Sequence, residues 1–542
     1  MKVEVERLDH LPVIAGTIKE IGLIEKIDAL IPPHEDEIVS TGQAIAALII
    51  CGMGFLQKPL SLTPHFFESR PIGYLLGNEK LKAKDFNRFK LSRELENLYL
   101  QGPEQIFSQL SAEICQEQGI AQNVVHGDTT SFSFDGQYDL EEDQDPVVKI
   151  THGYSKDHRP DLKQIVLEMA VSPDGGVPVL MAPWSGNASD SKIFHERLKK
   201  LSQNLDLSSK CIVLDSKGYS QRNQVWYEHL TFVSRVPATY AAHDEWIQTA
   251  IDLGHWTPLN EDEEKFWQEF EHEGERWIVV YTRAGFERST KNLEKGTIKE
   301  AESFQKKVKA FQRKSFACEE DARKAALELL KKLKYHKLKE IELDAQSKHT
   351  GPGRPKANAQ KQVDSWRVSK LELELDENKI QFLDTQGACY IVATNAKEMP
   401  AEEVVRTYSE QSQVERGFRF LKDPQFFTSS MFLKKPERIQ GLLVVMTLAL
   451  LVYALAERKL RHSLKENQET LPNQIKQQTS TPTLRWVFQL LDGINRVHIE
   501  ISGQPKQSLI EGLNENKEKA IKQFWPAVLQ YYHIVNEVPC SM

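Results

Sequence analysis

Apolar residues recur along this chain with two different periods. Up to about residue 115 the spacing is helical. Ile21 to Ile31 and Thr41 to Leu56 place apolar side chains three and four apart, with Pro and Gly at the breaks. Ser40-Thr41 and Asp85 supply helix start signals. From about 121 the period shortens to two. Asn123-Val-Val-His126-Gly-Asp128-Thr-Thr-Ser-Phe-Ser-Phe-Asp-Gly136 alternates and ends on a turn, which predicts a strand entering a hairpin. Ile165 to Met181 reads as strand, turn, strand, and Ser189-Asp190 caps a helix through Leu201. Cys211-Ile-Val-Leu-Asp215 is a buried strand with a polar residue at its carboxyl end; a short helix follows, then the strand Thr231-Phe-Val-Ser-Arg235-Val. This order is α/β, and in such sheets functional residues gather at strand ends.

Residues from about 240 to 375 interrupt the pattern. They hold four tryptophans (Trp246, Trp256, Trp267, Trp277), a long charged helical stretch from about 294 to 340, and a break at Gly351-Pro-Gly-Arg-Pro-Lys356. Strand signals return at Leu371-Glu-Leu-Glu-Leu375 and Ala388-Cys-Tyr-Ile-Val-Ala-Thr394. A helix then starts near Met399-Pro-Ala-Glu402, an apolar run fills 441–456, a polar linker covers about 465–481, and a helical segment runs on from Pro482. The apolar run holds about 15 residues, short of the roughly 20 that span a bilayer, so it predicts a buried core helix rather than a membrane anchor.

At 542 residues the chain is too long for one core and points to about three domains. The formal net charge of −8 counts mildly against nucleic-acid binding. The charge is unevenly spread, however: Lys291 to Lys339 is rich in lysine, and Asp135 to Asp145 is acidic. The six cysteines are scattered with no CxxC pair, which disfavours a zinc site or a disulfide framework and fits a reducing cytoplasm. Met1 to Arg7 is charged with no apolar stretch after it, so no secretory signal is expected.

Candidate chemistry concentrates in Tyr408-Ser-Glu-Gln411-Ser-Gln-Val-Glu415-Arg-Gly-Phe-Arg419-Phe-Leu-Lys422. On one helix, Tyr408, Gln411, Glu415, Arg419 and Lys422 would fall within roughly 80° of one another. A single carboxylate among phosphate-binding side chains suits a place where a metal ion meets a nucleic-acid backbone. Asp128 and Asp215, each ending a predicted strand, supply matching carboxylates. Singly, an Asp at a strand end is a turn former or cap, and an exposed Glu is a solvated charge. Together they fit two-metal phosphoryl transfer, which needs carboxylates from separate elements converging on hard cations.

In combination these residues resemble the DDE transposases of bacterial insertion sequences, in the superfamily whose signature is Y-x2-R-x3-E-x6-K. Tyr408, Glu415 and Lys422 match, and Gln411 stands where the family has Arg. His126-Gly-Asp128-Thr-Thr-Ser, Gly186-Asn-Ala-Ser-Asp190, Val213-Leu-Asp215-Ser-Lys-Gly218, Ser234-Arg-Val-Pro237 and Arg416-Gly-Phe-Arg-Phe-Leu-Lys-Asp-Pro424 are also similar to that family. The resemblance covers about 121–240 and 385–460. It implies an RNase H-like core, a mixed sheet with flanking helices, interrupted by an insertion domain and bracketed by helical terminal regions. The expected division is 1–118, a helical domain for DNA-end binding; 119–240, the first part of the core; 241–378, the insertion; 379–460, the second part with the Glu helix; and 461–542, a helical tail.

The resemblance further implies Asp128, Asp215 and Glu415 as catalytic residues and as ligands of two Mg²⁺ ions, or Mn²⁺ in their place. It implies cleavage at the element ends, then attack of the freed 3′-hydroxyl on target DNA. Tyr408 and Lys422 would hold backbone phosphates. Gln411 lacks the charge of the family's Arg, and Arg416 or Arg419 would compensate. The partners are double-stranded DNA, as terminal inverted repeats and target, and a second copy of the chain. The expected location is the bacterial cytoplasm, at the nucleoid. A catalytically silent DNA-binding relative and a two-metal nuclease that cuts without joining are the competing readings.

Other candidates stay open. The four tryptophans would stack on a flipped base or pack the insertion's own core. Gly353-Arg354-Pro355-Lys356 resembles half of an AT-hook, with Arg354 and Lys356 reaching a minor groove, or is a plain loop. His126 lies on the same strand face as Asp128, near the metals or packed. Lys217 and Arg222 would meet phosphates or water, and Lys306 to Lys339, interleaved with Glu, reads as a solvated helix face or a DNA patch.

Overall fold

The computed structural model describes residues 2–55, 60–136, 138, 148–156, 159–204, 210–219, 230–259, 264–349, 361–424, 433–501 and 507–534. They form two compact units, residues 1–234 with 406–542, and residues 235–405.

In the first unit, β1 (Lys2–Arg7) pairs antiparallel with Asn495–Glu500, which pairs in turn with Gln507–Glu511. The helices Leu11–Glu20, Thr41–Gly52, Arg88–Leu100 and Pro103–Glu117 build the leading region. The second of these opens on a capping box in which Ser40 and Gln43 each accept from the other's main-chain N–H. The expected apolar helix is longer than its apolar run and spans Pro436–Glu466. Leu443, Val444, Val445 and Met446 are consecutive and all buried, the pattern of a helix apolar on every side at the centre of a core. It approaches Arg88–Leu100 closely at Gly441, where any Cβ would collide with the Leu95 carbonyl oxygen. Side chains from residues 8–120, from this helix and from 484–532 share one hydrophobic core. The leading and trailing segments therefore do not pack as separate bodies.

The same unit holds a mixed sheet in the order β4-β3-β2-β5-β6, with β2 (Val124–Phe134), β3 (Lys163–Val171), β4 (Pro178–Ser185), β5 (Cys211–Leu214) and β6 (Thr231–Arg235). β3 is antiparallel to both β4 and β2, and β5 and β6 run parallel to β2. The helix Asp190–Asn204 joins β4 to β5. The helix expected after Asp215, and Arg222 on it, fall at 220–229, outside the described residues.

The second unit begins with the helix His243–Leu253, followed by β7 (Thr257–Pro258), β8 (Lys265–His272) and β9 (Glu275–Thr282). The charged stretch expected to be one helix is divided into Arg283–Phe311, Glu319–Leu330 and the strand β10 (His336–His349). The break has a local cause: Phe316 exchanges two main-chain hydrogen bonds of 2.8 Å with Trp366 on β11 (Lys361–Leu375), the partner of β10. The helix Glu377–Ala388 leads into β12 (Cys389–Thr394), which pairs with β9 in the order β12-β9-β8-β7. Trp277 is fully buried, and Trp246 and Trp256 pack on Phe270 and Tyr281. These rings serve the unit's own packing.

Candidate active site

Strand register brings the two aspartates together. β2 and β5 run parallel with Gly127 opposite Leu214. The next residues, Asp128 and Asp215, therefore stand side by side on neighbouring strands, which lie about 4.8 Å apart. β5 stops at Leu214, so Asp215 sits at a strand end as expected. Asp128 does not, because β2 runs on to Phe134 against β3. The Asp215 carboxylate accepts from the Lys217 main-chain N–H at 2.9 Å, and its carbonyl accepts from the Ser234 hydroxyl at 3.0 Å. Burial pushes the Asp128 carboxyl up to about 6; the charge of Asp215 adds to this and that of Lys156 opposes it. Burial raises Asp215 as well.

The segment around Glu415 is not one helix. Ala401–Ser409 ends, the chain turns at Glu410-Gln411, and a new helix runs Ser412–Leu421. Tyr408 belongs to the first helix, Glu415 and Arg419 to the second, and Lys422 is its C-cap. The break follows from Gln411, whose buried side chain turns into the fold instead of toward a phosphate. Its amide donates to the Gly127 carbonyl at 2.9 Å, and its oxygen accepts from His126 Nδ1 at 3.1 Å. His126 is fully buried, and burial pushes its imidazole down to about 4. Its Nε2 has no hydrogen-bond partner and stands 3.9 Å from the Glu410 carboxylate.

These contacts fix which face of the sheet the Glu415 helix covers. Side chains alternate along a strand, so His126, Asp128, Thr130 and Phe132 share one face of β2. His126 meets Gln411 at the start of the helix, and the Lys422 ammonium lies 5.7 Å above the Phe132 ring at its end. Asp128, between them, must project toward the helix. At about 1.5 Å per residue, Glu415 lies roughly 6 Å beyond Gln411, beside Asp128 to Thr130. The helix buries Val414, Gly417, Phe418, Phe420 and Leu421 and exposes Glu415, Arg416 and Arg419. Arg416 points to a separate cavity of about 260 Å³ that Arg458, Arg461 and His462 also line. Arg354 and Lys356 lie outside the described residues.

Sequence reasoning missed a charged group at the notch where β5 stops and β2 continues. Lys156 donates to the Thr129 carbonyl and hydroxyl, both at 2.6 Å, and lies 3.4 Å from Asp190. Asp190 also accepts from the Thr129 hydroxyl and pairs with Lys217. Burial favours protonation of Asp190, but bonds from Lys217 and Thr129 hold it below the usual carboxylate range. Asp190 reads in sequence as a helix cap at the end of a family-like stretch, with no role of its own, and no pattern around Lys156 marks it.

Asp128 and Asp215 offer oxygen donors alone, and two half-buried like charges side by side are what a hard divalent cation relieves. The donor set therefore fits such an ion. Among the described residues no three carboxylate, imidazole or thiolate groups gather closely enough to enclose one.

Paired carboxylates on a mixed sheet, faced by a helix with exposed arginines, are an arrangement that suits phosphoryl transfer. Residues 125–452 match the family described as Transposase DDE domain, and the chain belongs to that family, whose members cleave DNA and transfer strands. Residues 3–112 match a domain of unknown function, DUF4277. Among solved structures the chain is similar to a piggyBac transposase synaptic complex with hairpin DNA determined by cryo-EM. The identity is 10% and the TM-score 0.37, over 100% of this chain and 90% of that one. No curated protein matches.

Proposed function

We propose that the protein moves an insertion element by cutting its ends and joining the freed 3′-hydroxyls to target DNA, with Asp128, Asp215 and Glu415 as the catalytic triad. The Gly127–Leu214 register carries this reading, because it sets two carboxylates on one spot beside the Glu415 helix. Asp128 and Asp215 would hold divalent cations, Mg²⁺ or Mn²⁺, with Glu415 completing the ligand set. Held there, two such ions would supply activation of the attacking oxygen and stabilisation of the leaving one. Arg419 and Lys422, on the same helix, and Tyr408 before it would hold the DNA backbone, and Arg416 would reach it on the flank. Gln411 takes a different part from the family's Arg: it braces the strand that carries Asp128. Terminal inverted repeats and target DNA are the substrates, and two copies of the chain would pair the two ends.

The test is Mg²⁺-dependent cleavage and strand transfer on a labelled element-end duplex by wild type, Asp215→Ala and Glu415→Gln. Loss of both steps in each variant, with end binding kept, is the expected result. Equal background in all three proteins would leave the chain a DNA-binding relative. Cleavage without strand transfer by wild type would make it a nuclease.

A further inference from the structure

On the reading above, one wall of the site is the Glu415 helix with its exposed cations. The opposite side of β2 carries a second set. Thr129 neighbours Asp128 and points to the other face, where Lys156, Asp190 and Lys217 converge on it. Lys156 arrives from the loop before β3 and is also anchored by its main-chain N–H to the Ser131 hydroxyl at 3.3 Å. Lys217 arrives from the turn after β5, and its own main-chain N–H donates to the Asp215 carboxylate. Asp190, at the first turn of its helix, sits between them with its side chain only 11% exposed. Within this cluster two ammonium groups face the Asp190 carboxylate, and both also feel the charges of Asp128 and Asp215. The cluster lies where β5 ends, next to Asp215 in the chain and to Asp128 across Thr129. The Lys217 side chain is half exposed and within reach of a ligand on that side, while that of Lys156 is a quarter exposed with its ammonium held by Thr129 and Asp190.

We infer that Lys156 and Lys217 form a second cationic wall that contacts phosphates of the DNA strand at the triad, and that Asp190 is the positioning residue that aims both. A duplex entering the site would then be held from the Glu415 helix on one side and from this pair on the other.

The experiment measures the affinity of the full-length protein for a fluorescent duplex bearing the inverted repeat that flanks its gene. Ca²⁺ replaces Mg²⁺ to prevent turnover, and salt is varied. Removing one neutralised phosphate lowers the slope of log affinity against log salt by about 0.9. Lys217→Gln and Lys156→Gln should each lower the slope by about one and the double variant by about two, with Lys217→Arg restoring it. Asp190→Asn should lower the slope as well, because neither lysine is then aimed at its phosphate, and should lower the cleavage rate in Mg²⁺. Lys217→Gln cannot fail through misfolding alone, since its side chain is half exposed. Slopes equal to wild type in both single variants would overturn the inference and leave the lysines as structural partners of Asp190. A wild type that does not bind the duplex would overturn the transposase reading itself, and this inference with it.

Discussion

His126 and Gln411 are two residues whose sequence context suggests chemistry and whose structure assigns them support. His126 is fully buried and donates its Nδ1 proton to Gln411, which donates its amide to the Gly127 carbonyl. The folded imidazole titrates at about 4 because burial opposes its charge, while an unfolded one titrates near 6.5. Between those values the unfolded chain binds more protons, so stability is full above about 6.5 and falls as the pH drops toward 4. The difference corresponds to about 3 kcal/mol. Asp128 runs the other way in an overlapping window, its raised carboxyl losing stability as the pH rises through about 6. The contribution of His126 is therefore read from the difference between wild type and His126→Gln in thermal unfolding from pH 4 to 7.5. That difference should favour wild type at pH 7.5 and shrink, or reverse, near pH 4. A constant difference across the range would show that the imidazole does not titrate with folding.

At the scale of elements, the strands were more legible than the helix that faces them. Alternation marked β2 and an unbroken apolar run marked β5, and the aspartates followed from where those strands lie. Asp128 was expected at a strand end, but the alternation runs on past it to Phe134, and so does β2. The Glu415 segment has unbroken helical spacing, and nothing local announces the turn at Glu410-Gln411. That break exists because Gln411 bonds to a strand almost 300 residues earlier, a pairing no periodicity encodes. Lys156 was illegible for the same reason: it sits in a loop, and its partner Asp190 reads as an ordinary cap. The helix itself is seated by a small residue. A Cβ on Gly417 would stand 2.8 Å from the Met169 methyl and 3.1 Å from Leu450. These are ends of flexible side chains, so Ala should be tolerated at a cost of about 1 kcal/mol. Val, branched at Cβ, should lift the helix from β3 and carry Glu415 away from Asp128. Gly417→Val should then lose cleavage far more than end binding, while Gly417→Ala keeps most of both. Cleavage retained in Gly417→Val would show that the seating of this helix does not set the position of Glu415.

For the molecule as a whole, composition and length foretold several domains, but the actual grouping depends on pairings between distant segments. β1 lines up with Asn495–Glu500 from Lys2 opposite Glu500 to Arg7 opposite Asn495. The helix Leu11–Glu20 packs on the C-terminal helix Pro526–Tyr531, so closely that a Cβ on Gly16 would fall 2.7 Å from the Val528 Cα. Tyr532 donates to the Asp9 carbonyl at 2.6 Å, Tyr531 to that of Leu75 at 3.0 Å, and Tyr74 back to that of Tyr531 at 3.0 Å. Each buried phenol left without its acceptor would cost about 1–3 kcal/mol. Each large apolar side chain uncovered, such as Val528 or Leu529, would cost roughly 1.5–3 kcal/mol more. A few such changes equal the whole stability of a typical domain. The leading segment should therefore not behave as a free-standing DNA-binding module. A chain ending at residue 483 should show trypsin sites within 1–118 that full-length protein protects, and should bind element-end DNA poorly. Residues 1–118 expressed alone should give a poorly dispersed NMR spectrum. A dispersed spectrum from that fragment, or unchanged protection in the shortened chain, would mean that the leading helices hold together without the C-terminal strands and helix. End recognition would then be separable from the core they pack on here.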